Sequence, residues 1–178
     1  NDNKNIFLHP RSELFPYTSN RTALAVHLIR LLSVLCGIGT LVTSYQIFKL
    51  LWPDRPDFRL MGLGIIAFWP QFIFLSGSIN NDNPLIFLST FSLLLLLRQL
   101  HSGPSWRSAT ILGIVLGVAL LTKASGLVLA APVGVAVFLD WRRTWRYAAL
   151  TLLITLLIGG WWYIRNFVLY GDFLLIGT

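Results

Sequence analysis

The stretch FLSGSINNDNPLIFL, residues 74–88, places a polar turn between two apolar runs. This polar turn, NNDNP at residues 80–84, contains one carboxylate and three side-chain amides. In lipid, a chain must satisfy its own backbone hydrogen bonds, so long apolar runs of this kind predict helices and place polar turns at the membrane surface or against a cavity. The stretch therefore predicts an all-α membrane protein, and it raises the question of why the turn holds a carboxylate.

The composition of the whole chain supports a membrane protein. Its 178 residues are 55% hydrophobic and 12% charged, and the mean hydropathy is +0.68, which is too apolar for an ordinary soluble domain. The formal net charge of +7 comes from scattered basic residues. Scattered basic residues in a membrane protein more often mark cytoplasmic loops and lipid contacts, so we expect membrane lipids and no nucleic acid as partners. The single Cys36 cannot form an intrachain disulfide.

Hydrophobic segmentation predicts a polytopic helix bundle with six spanning helices. The predicted spans are Thr22–Leu50, Leu60–Gly77, Pro84–Gln99, Ser108–Thr122, Ser125–Trp141 and Tyr147–Tyr163. The first 21 residues are polar and contain no apolar run like that of a signal peptide. We therefore expect the chain to be an internal piece of a longer protein. We divide it into a remnant of an outer-face first loop (1–21), the transmembrane bundle (22–163) and an outer-face segment (164–178).

The distribution of basic residues predicts the orientation. Three alternate loops hold most of the Lys and Arg, and the positive-inside rule places them in the cytoplasm. These residues are Lys49, Arg55, Arg59, Arg98, Arg107, Arg142, Arg143 and Arg146. Asp82, Lys123 and Arg165 then share the outer face. The aromatic residues of the stretch WWY at 161–163, with Tyr170, fit an interfacial belt at that face.

Two interpretations of the polar turn stay open. Asn and Asp are common helix caps, and Pro84 suits a first helical turn, so Asn80, Asn81, Asp82 and Asn83 could serve the fold alone. A cap needs one such residue, however, and a carboxylate at a membrane rim can bind a divalent metal or sugar hydroxyls. On the second interpretation the asparagines line a polar cavity.

Four basic side chains suggest an anion site at the outer face. Lys123 stands between two apolar helices with almost no loop, so its ammonium must either snorkel to the surface or meet an anion. Arg165 can reach the same rim or act as an ordinary interfacial arginine. Arg30 and His27 lie one turn apart in the first helix and can pair within the bundle. Together they suit a lipid-linked phosphate.

Four stretches, in order, carry a resemblance to a known family. They are RLLSVLCGIGTLVTSYQIFKLLWPDRP, FWPQFIFLSGSINNDNPLIFL, LGIVLGVALLTKASGLVLAAP and WWYIRNFVLYGDFL. The chain resembles the integral-membrane glycosyltransferases of the C-type superfamily, which use polyprenyl-phosphate sugars. Within it, the chain is similar to the group of the protein O-mannosyltransferases of glycosyltransferase family 39, the aminoarabinose transferases and their bacterial relatives.

The resemblance implies an inverting sugar transfer on the outward face of the bacterial cytoplasmic membrane, to a hydroxyl on a protein, lipid or glycan. Asp82 matches the family's second acid, which orients substrate or helps to hold a divalent metal. Lys123 and Arg165 match residues that contact the donor phosphate, and Arg30 is a further candidate.

The chain departs from the family at the first-loop base. Neither Asp2 nor Glu13 stands in the family's acidic pair, so no base is assigned. We therefore expect that this chain alone is not a competent enzyme.

Other functional classes are less favoured by the sequence. The chain could be a non-catalytic subunit of a larger membrane complex, and the small Ala23 four residues before His27 resembles pigment-binding helices. A transporter is disfavoured because no helix pair is visibly interrupted and no acidic residue lies at mid-membrane.

Overall fold

The computed structural model describes residues 21–173, and these residues form helices joined by short turns, with no strand among them. The predicted all-α fold is confirmed. The elements are α1 (Arg21–Leu51), α2 (Pro56–Ala67), α3 (Pro70–Gly77), α4 (Asp82–Ser102), α5 (Trp106–Thr122), a 3-10 helix (Ala124–Leu129), α6 (Ala130–Leu139), α7 (Trp141–Thr155), a π-helical turn (Leu156–Gly160) and α8 (Trp161–Tyr170).

The distribution of apolar residues is that of a membrane protein. Large apolar side chains such as Val128, Leu157 and Phe138 are mostly exposed, whereas small polar ones such as Ser33 and Thr40 are buried between helices. In lipid an exposed apolar side chain costs nothing, and small residues let helices approach closely. The apolar exterior is therefore the surface that faces lipid.

The prediction of six spanning helices was wrong in number. Within residues 21–173, three helices are long and apolar enough to cross a membrane, namely 21–51, 82–102 and the continuous helix 141–170. The pair α2 and α3 adds a fourth if it counts as one span. The other two predicted spans exist as apolar helices of 10–17 residues, at 106–122 and 124–139. A helix of 17 residues is only about 26 Å long, which is less than the roughly 30 Å hydrocarbon core.

The expectation of uninterrupted helices was also wrong, at the second predicted span. Helices α2 and α3 meet at a bend of 59°. Pro70 begins α3, and the preceding Trp69 adopts an extended conformation with ψ 120°. Proline disfavours helical geometry in the residue before it, so the helix ends there. Acidic residues in the described helices occur only in first turns.

The helix order brings separate stretches of the sequence to one end of the bundle. Helices α4 and α5 form a hairpin through Gly103, whose φ of +87° favours glycine. The start of α4 and the end of α5 therefore lie together, and we call this the Asp82 end. Gly103 lies at the opposite end, against the guanidinium of Arg143, and we call that the Arg143 end.

Helices α5 and α7 pack in parallel along a seam of small residues. Thr151 donates from Oγ1 to the carbonyl of Ala109 at 3.1 Å, and Thr155 donates to that of Gly113 at 3.2 Å. A Cβ on Gly117 would lie 2.7 Å from Cβ of Ile158, so glycine is what permits this approach. Small residues at four-residue spacing are typical of close helix pairs in membranes.

The π-helical turn lies on this seam. A Cβ on Gly159 would lie 2.9 Å from the carbonyl oxygen of Gly117, so the close approach of the two helices continues through the turn. Beyond it, Tyr163 donates from its hydroxyl to the carbonyl of Leu120 at 2.9 Å. Helix α8 then continues to Tyr170, beyond the boundary at 163 expected for the last span. The segment 164–178 is therefore helical at its start.

Candidate functional site

The amides of the polar turn hold the fold. Asn83 is buried, and its Nδ2 donates to the carbonyl of Leu75 at 2.7 Å and to that of Ser78 at 3.0 Å. These acceptors lie at the end of α3, where helix carbonyls lose their intrahelical partners. Asn83 therefore closes α3 against the start of α4.

Asn80 satisfies the start of the next helix. Its Oδ1 accepts a hydrogen bond from the backbone N–H of Asp82 at 3.0 Å. An asparagine that bonds the backbone two residues later is a common turn device at a helix start. The capping interpretation thus accounts for Asn80 and Asn83, and it leaves the carboxylate of Asp82 for another role.

The carboxylate of Asp82 pairs with Lys123. Oδ1 of Asp82 lies 2.6 Å from Nζ of Lys123, which follows the last residue of α5, and the two residues are 41 positions apart in the chain. Their side chains are 32% and 42% exposed, so the pair is reachable from outside the protein. Two candidates from different stretches of the sequence are thus brought into direct contact.

This pair offers both hydrogen-bond donors and an acceptor. The ammonium has three N–H groups and one of them bonds Asp82, so the others can bind an anion. Oδ2 of Asp82 lies outside this contact and can accept from a hydroxyl. Contact with an ammonium also favours the ionised form of a carboxylate.

A cavity of about 260 Å³ lies beside the polar turn, between it and α1. Its lining residues are Ile29, Leu32, Ser33, Cys36, Ile79, Asn80, Asn81 and Pro84. Asn80 and Asn81 border this cavity, whose other lining residues are mostly apolar, whereas Asn83 and His27 are not among its lining residues. The polar cavity expected from the sequence stays a prediction.

The remaining predicted cations do not join the pair. Arg165 is exposed, and its guanidinium lies 5.3 Å from the ring of Trp162. Arg30 is exposed on α1. Within residues 21–173 neither forms an ion pair, so a role for them in phosphate binding stays a prediction.

One residue of this region was missed by the sequence analysis. Asn166, next to Arg165 on α8, is only 3% exposed, and its Oδ1 has no hydrogen-bond partner among the described residues. The sequence analysis weighed charged residues in this stretch and did not consider the amide. The signal available was its place in the fourth quoted stretch, directly after Arg165.

The described residues do not assemble a metal site. No group of three or more His, Cys, Asp or Glu side chains comes together within residues 21–173. Divalent cations such as Mg²⁺ and Ca²⁺ take several oxygen ligands. Asp82 supplies a single carboxylate, and that carboxylate already contacts the ammonium of Lys123. The acids Asp2 and Glu13 lie outside the described residues.

Comparison with known proteins gives one match. The sequence model of the family described as dolichyl-phosphate-mannose-protein mannosyltransferase matches residues 13–171, which is most of the chain. No curated protein and no solved structure matches.

Proposed function

Because the chain belongs to the dolichyl-phosphate-mannose-protein mannosyltransferase family and is an integral membrane protein, we propose that it acts in sugar transfer from a polyprenyl-phosphate donor to a hydroxyl acceptor. The proposed site is the Asp82 end of the bundle. The observation that carries the proposal is the contact between Asp82 and Lys123, which lies within the matched region and combines an anion-binding group with a carboxylate.

Lys123 is the proposed phosphate-binding residue. Its ammonium lies at the end of an apolar helix and is partly exposed, where a lipid phosphate can approach it. In the transfer the bond between the sugar carbon and the phosphate oxygen breaks, and its electron pair leaves with the phosphate. A fixed cation stabilises the negative charge that develops there.

Asp82 is the proposed orienting residue. Its free oxygen can accept from a hydroxyl of the sugar or of the acceptor. The acceptor hydroxyl oxygen forms the new bond to the sugar carbon, and its proton goes to a base. No residue is proposed as that base, and Asp82 is not proposed for the role because its carboxylate is held by Lys123.

The placement of the site follows from charge. The Arg143 end carries the basic loops, so the positive-inside rule puts it in the cytoplasm and the Asp82 end on the outward face. We propose the bacterial cytoplasmic membrane as the location, and Arg165 and Arg30 as further contacts for the donor phosphate. Both are exposed on helices that reach the Asp82 end.

A transfer assay with the full-length protein in liposomes tests the proposal. The donor is a polyprenyl-phosphate mannose with a radiolabelled sugar, and the variant is Lys123→Met. We expect donor binding and transfer to fall together by ~10-fold or more, since a hydrogen bond to a charged group contributes about 1.5–3 kcal/mol.

The matched control is Lys49→Met, which removes an exposed lysine in the last turn of α1. It should bind the donor as the wild type does. Unchanged donor affinity in Lys123→Met would assign Lys123 to snorkelling. A wild-type protein that neither binds nor transfers would favour the alternative of a structural subunit in a larger complex.

A further inference from the structure

A cavity of about 450 Å³ lies between α5, α6 and α7, and we call it the α6 cavity. Most of its lining residues are aliphatic or glycine. Thr151 and Thr155 also line it, but their hydroxyls donate to carbonyls of α5 and α7. A polar group without a hydrogen-bond partner is unfavourable in such surroundings, so the cavity suits an apolar occupant.

The α6 cavity has the depth of one membrane leaflet. Its lining residues include Ala130, Val133 and Phe138, so the cavity follows α6 along almost its whole length. The 10 residues of this helix extend over about 15 Å, which is half of the roughly 30 Å hydrocarbon core. The acyl chain of a lipid in one leaflet therefore matches the cavity in polarity and in depth.

The α6 cavity can be reached from outside at the turn between α6 and α7. Phe138, near the end of α6, and Trp141, at the start of α7, both line the cavity, and they are 84% and 63% exposed. Thr144 donates from Oγ1 to the carbonyl of Val137 at 3.1 Å, which ties the start of α7 to this rim. A lipid chain from the surrounding membrane can enter the cavity here.

Two arginines stand beside this opening. Arg142 directly follows Trp141, and Arg146 lies four positions later, so the two exposed side chains share a face of α7. Within residues 21–173 neither forms an ion pair, and Asp140 makes no side-chain cap at the start of the helix. Positive charge at this end opposes the helix dipole, so the arginines do not serve the stability of α7. Their guanidinium groups are available to an external anion.

We propose that the α6 cavity and these two arginines bind one anionic phospholipid from the leaflet at the Arg143 end. The lipid phosphate accepts hydrogen bonds from Arg142 and Arg146, and one acyl chain occupies the cavity. The planar guanidinium matches phosphate geometry, and the exposed Trp141 and Trp145 mark the interface where headgroups lie. The inference does not depend on the proposed sugar transfer, whose site is at the Asp82 end.

Native mass spectrometry of the full-length protein in detergent tests the headgroup contact. The two probes are phosphatidylglycerol and the zwitterionic phosphatidylcholine with the same acyl chains. We expect the wild type to bind phosphatidylglycerol ~10-fold or more tightly, because two cations act on a lipid with net negative charge. The double variant Arg142→Gln with Arg146→Gln should bind the two lipids alike.

Arg143→Gln is the matched control for the headgroup contact. It removes the same charge from the same turn of α7, but the guanidinium of Arg143 lies against Gly103 at the turn between α4 and α5. The control should keep the preference for phosphatidylglycerol. An equal loss of preference in the control and in the double variant would show that net charge alone attracts the lipid, and the inference would be wrong.

Gly134→Leu tests the acyl-chain contact. Gly134 lines the α6 cavity, and a Cβ there would meet nothing within 4 Å, so leucine fills the cavity without a clash. We expect phosphatidylglycerol binding to fall by ~10-fold or more, whereas thermal stability should not fall because leucine favours helix over glycine. Gly64→Leu on α2, another helical glycine with open space, should leave lipid binding unchanged.

Two further results would overturn the inference. One is a wild-type protein that binds the two phospholipids with equal affinity. The other is displacement of bound phosphatidylglycerol by an equal concentration of polyprenyl phosphate, which would assign the cavity to the chain of the sugar donor. A wild type that prefers phosphatidylglycerol but transfers no sugar would support the inference and contradict the proposed function.

Discussion

The two ends of the bundle each hold an ion pair, and the two pairs differ in what they connect. Asp82 and Lys123 lie 2.6 Å apart and join the start of α4 to the end of α5, across 41 positions of the chain. Arg55 and Asp57 lie 2.7 Å apart at the start of α2, where Arg55 precedes the helix and Asp57 is in its first turn, and their side chains are more exposed. The two pairs therefore have nearly the same length, but one is local to the start of a helix and the other joins two distant helix ends.

The local pair belongs to its turn. The guanidinium of Arg55 also lies 4.1 Å from the ring of Phe58, and its hydrogen bond to Asp57 raises the pKa of Arg55 above its ordinary value. Exposed pairs of this kind contribute little to stability. The distant pair instead fixes two helix ends that the sequence keeps apart, so the comparison predicts that only the distant pair matters for function.

The largest expected effect comes from reversing one charge in each pair. Lys123→Glu sets two carboxylates against each other and against the donor phosphate, and like charges in contact cost several kcal/mol. We expect transfer to fall by at least ~1,000-fold, about 4 kcal/mol of transition-state stabilisation, in the liposome assay. Arg55→Glu, measured beside it, should change transfer by less than about 2-fold. Equal losses in both variants would erase the distinction between the pairs.

Exchanging the partners of the distant pair should separate stability from activity. The double variant Asp82→Lys with Lys123→Asp restores the attraction but moves the ammonium to α4. Thermal stability should return close to that of the wild type, whereas transfer should remain ~100-fold lower, about 2.7 kcal/mol, because the cation no longer faces the phosphate. Recovery of transfer along with stability would show that only the attraction between the helix ends matters.

A smaller effect is expected from Asp82→Asn, which keeps the shape of the side chain and removes its charge. Asparagine caps a helix about as well as aspartate does, so a capping role predicts no change. A role in the site predicts a loss of ~10-fold or more in initial rate, about 1.4 kcal/mol, at matched protein level and thermal stability. Asp57→Asn is the control, and wild-type turnover in both variants would leave Asp82 as part of a turn only.

The smallest effect on activity is expected from single-cysteine variants. These variants also test directly on which side of the membrane each end of the bundle lies. Ser102→Cys and Thr144→Cys, in a protein with Cys36→Ser, should keep transfer within about 2-fold because both positions are far from the Asp82 end. In intact cells an impermeant thiol reagent should fail to label either one, since the positive-inside rule puts both in the cytoplasm. Labelling from outside would reverse the assigned orientation.

Part of the candidate site could be predicted from the sequence. Asp82 and Lys123 were both predicted for one face of the membrane, because the number of apolar segments between them fixes the side. Their contact was not predicted, since it depends on how the α4–α5 hairpin packs. The bend before Pro70 could have been predicted, because the residue before a proline disfavours helix.

Asn166 illustrates what the sequence could not supply. Its burial depends on which face of α8 is turned into the bundle, and α8 follows the π-helical turn at Leu156–Gly160. Helical periodicity assumes 3.6 residues per turn throughout, so a single wider turn shifts every later residue. The number of spans failed for a different reason, because apolar segments shorter than about 20 residues were counted as spans, whereas a 17-residue helix such as α5 is shorter than the membrane core.

The parallel seam between α5 and α7 has a consequence for biosynthesis. Because the contacting residues are 42 positions apart, helix α5 leaves the ribosome well before its partner exists. At about 5–20 residues per second, this delay is roughly 2–8 s, much longer than the microseconds in which a helix forms. During that interval Gly113 and Gly117 face lipid or other proteins, so the newly inserted hairpin α4–α5 must wait in the membrane until α6 has returned and α7 has followed.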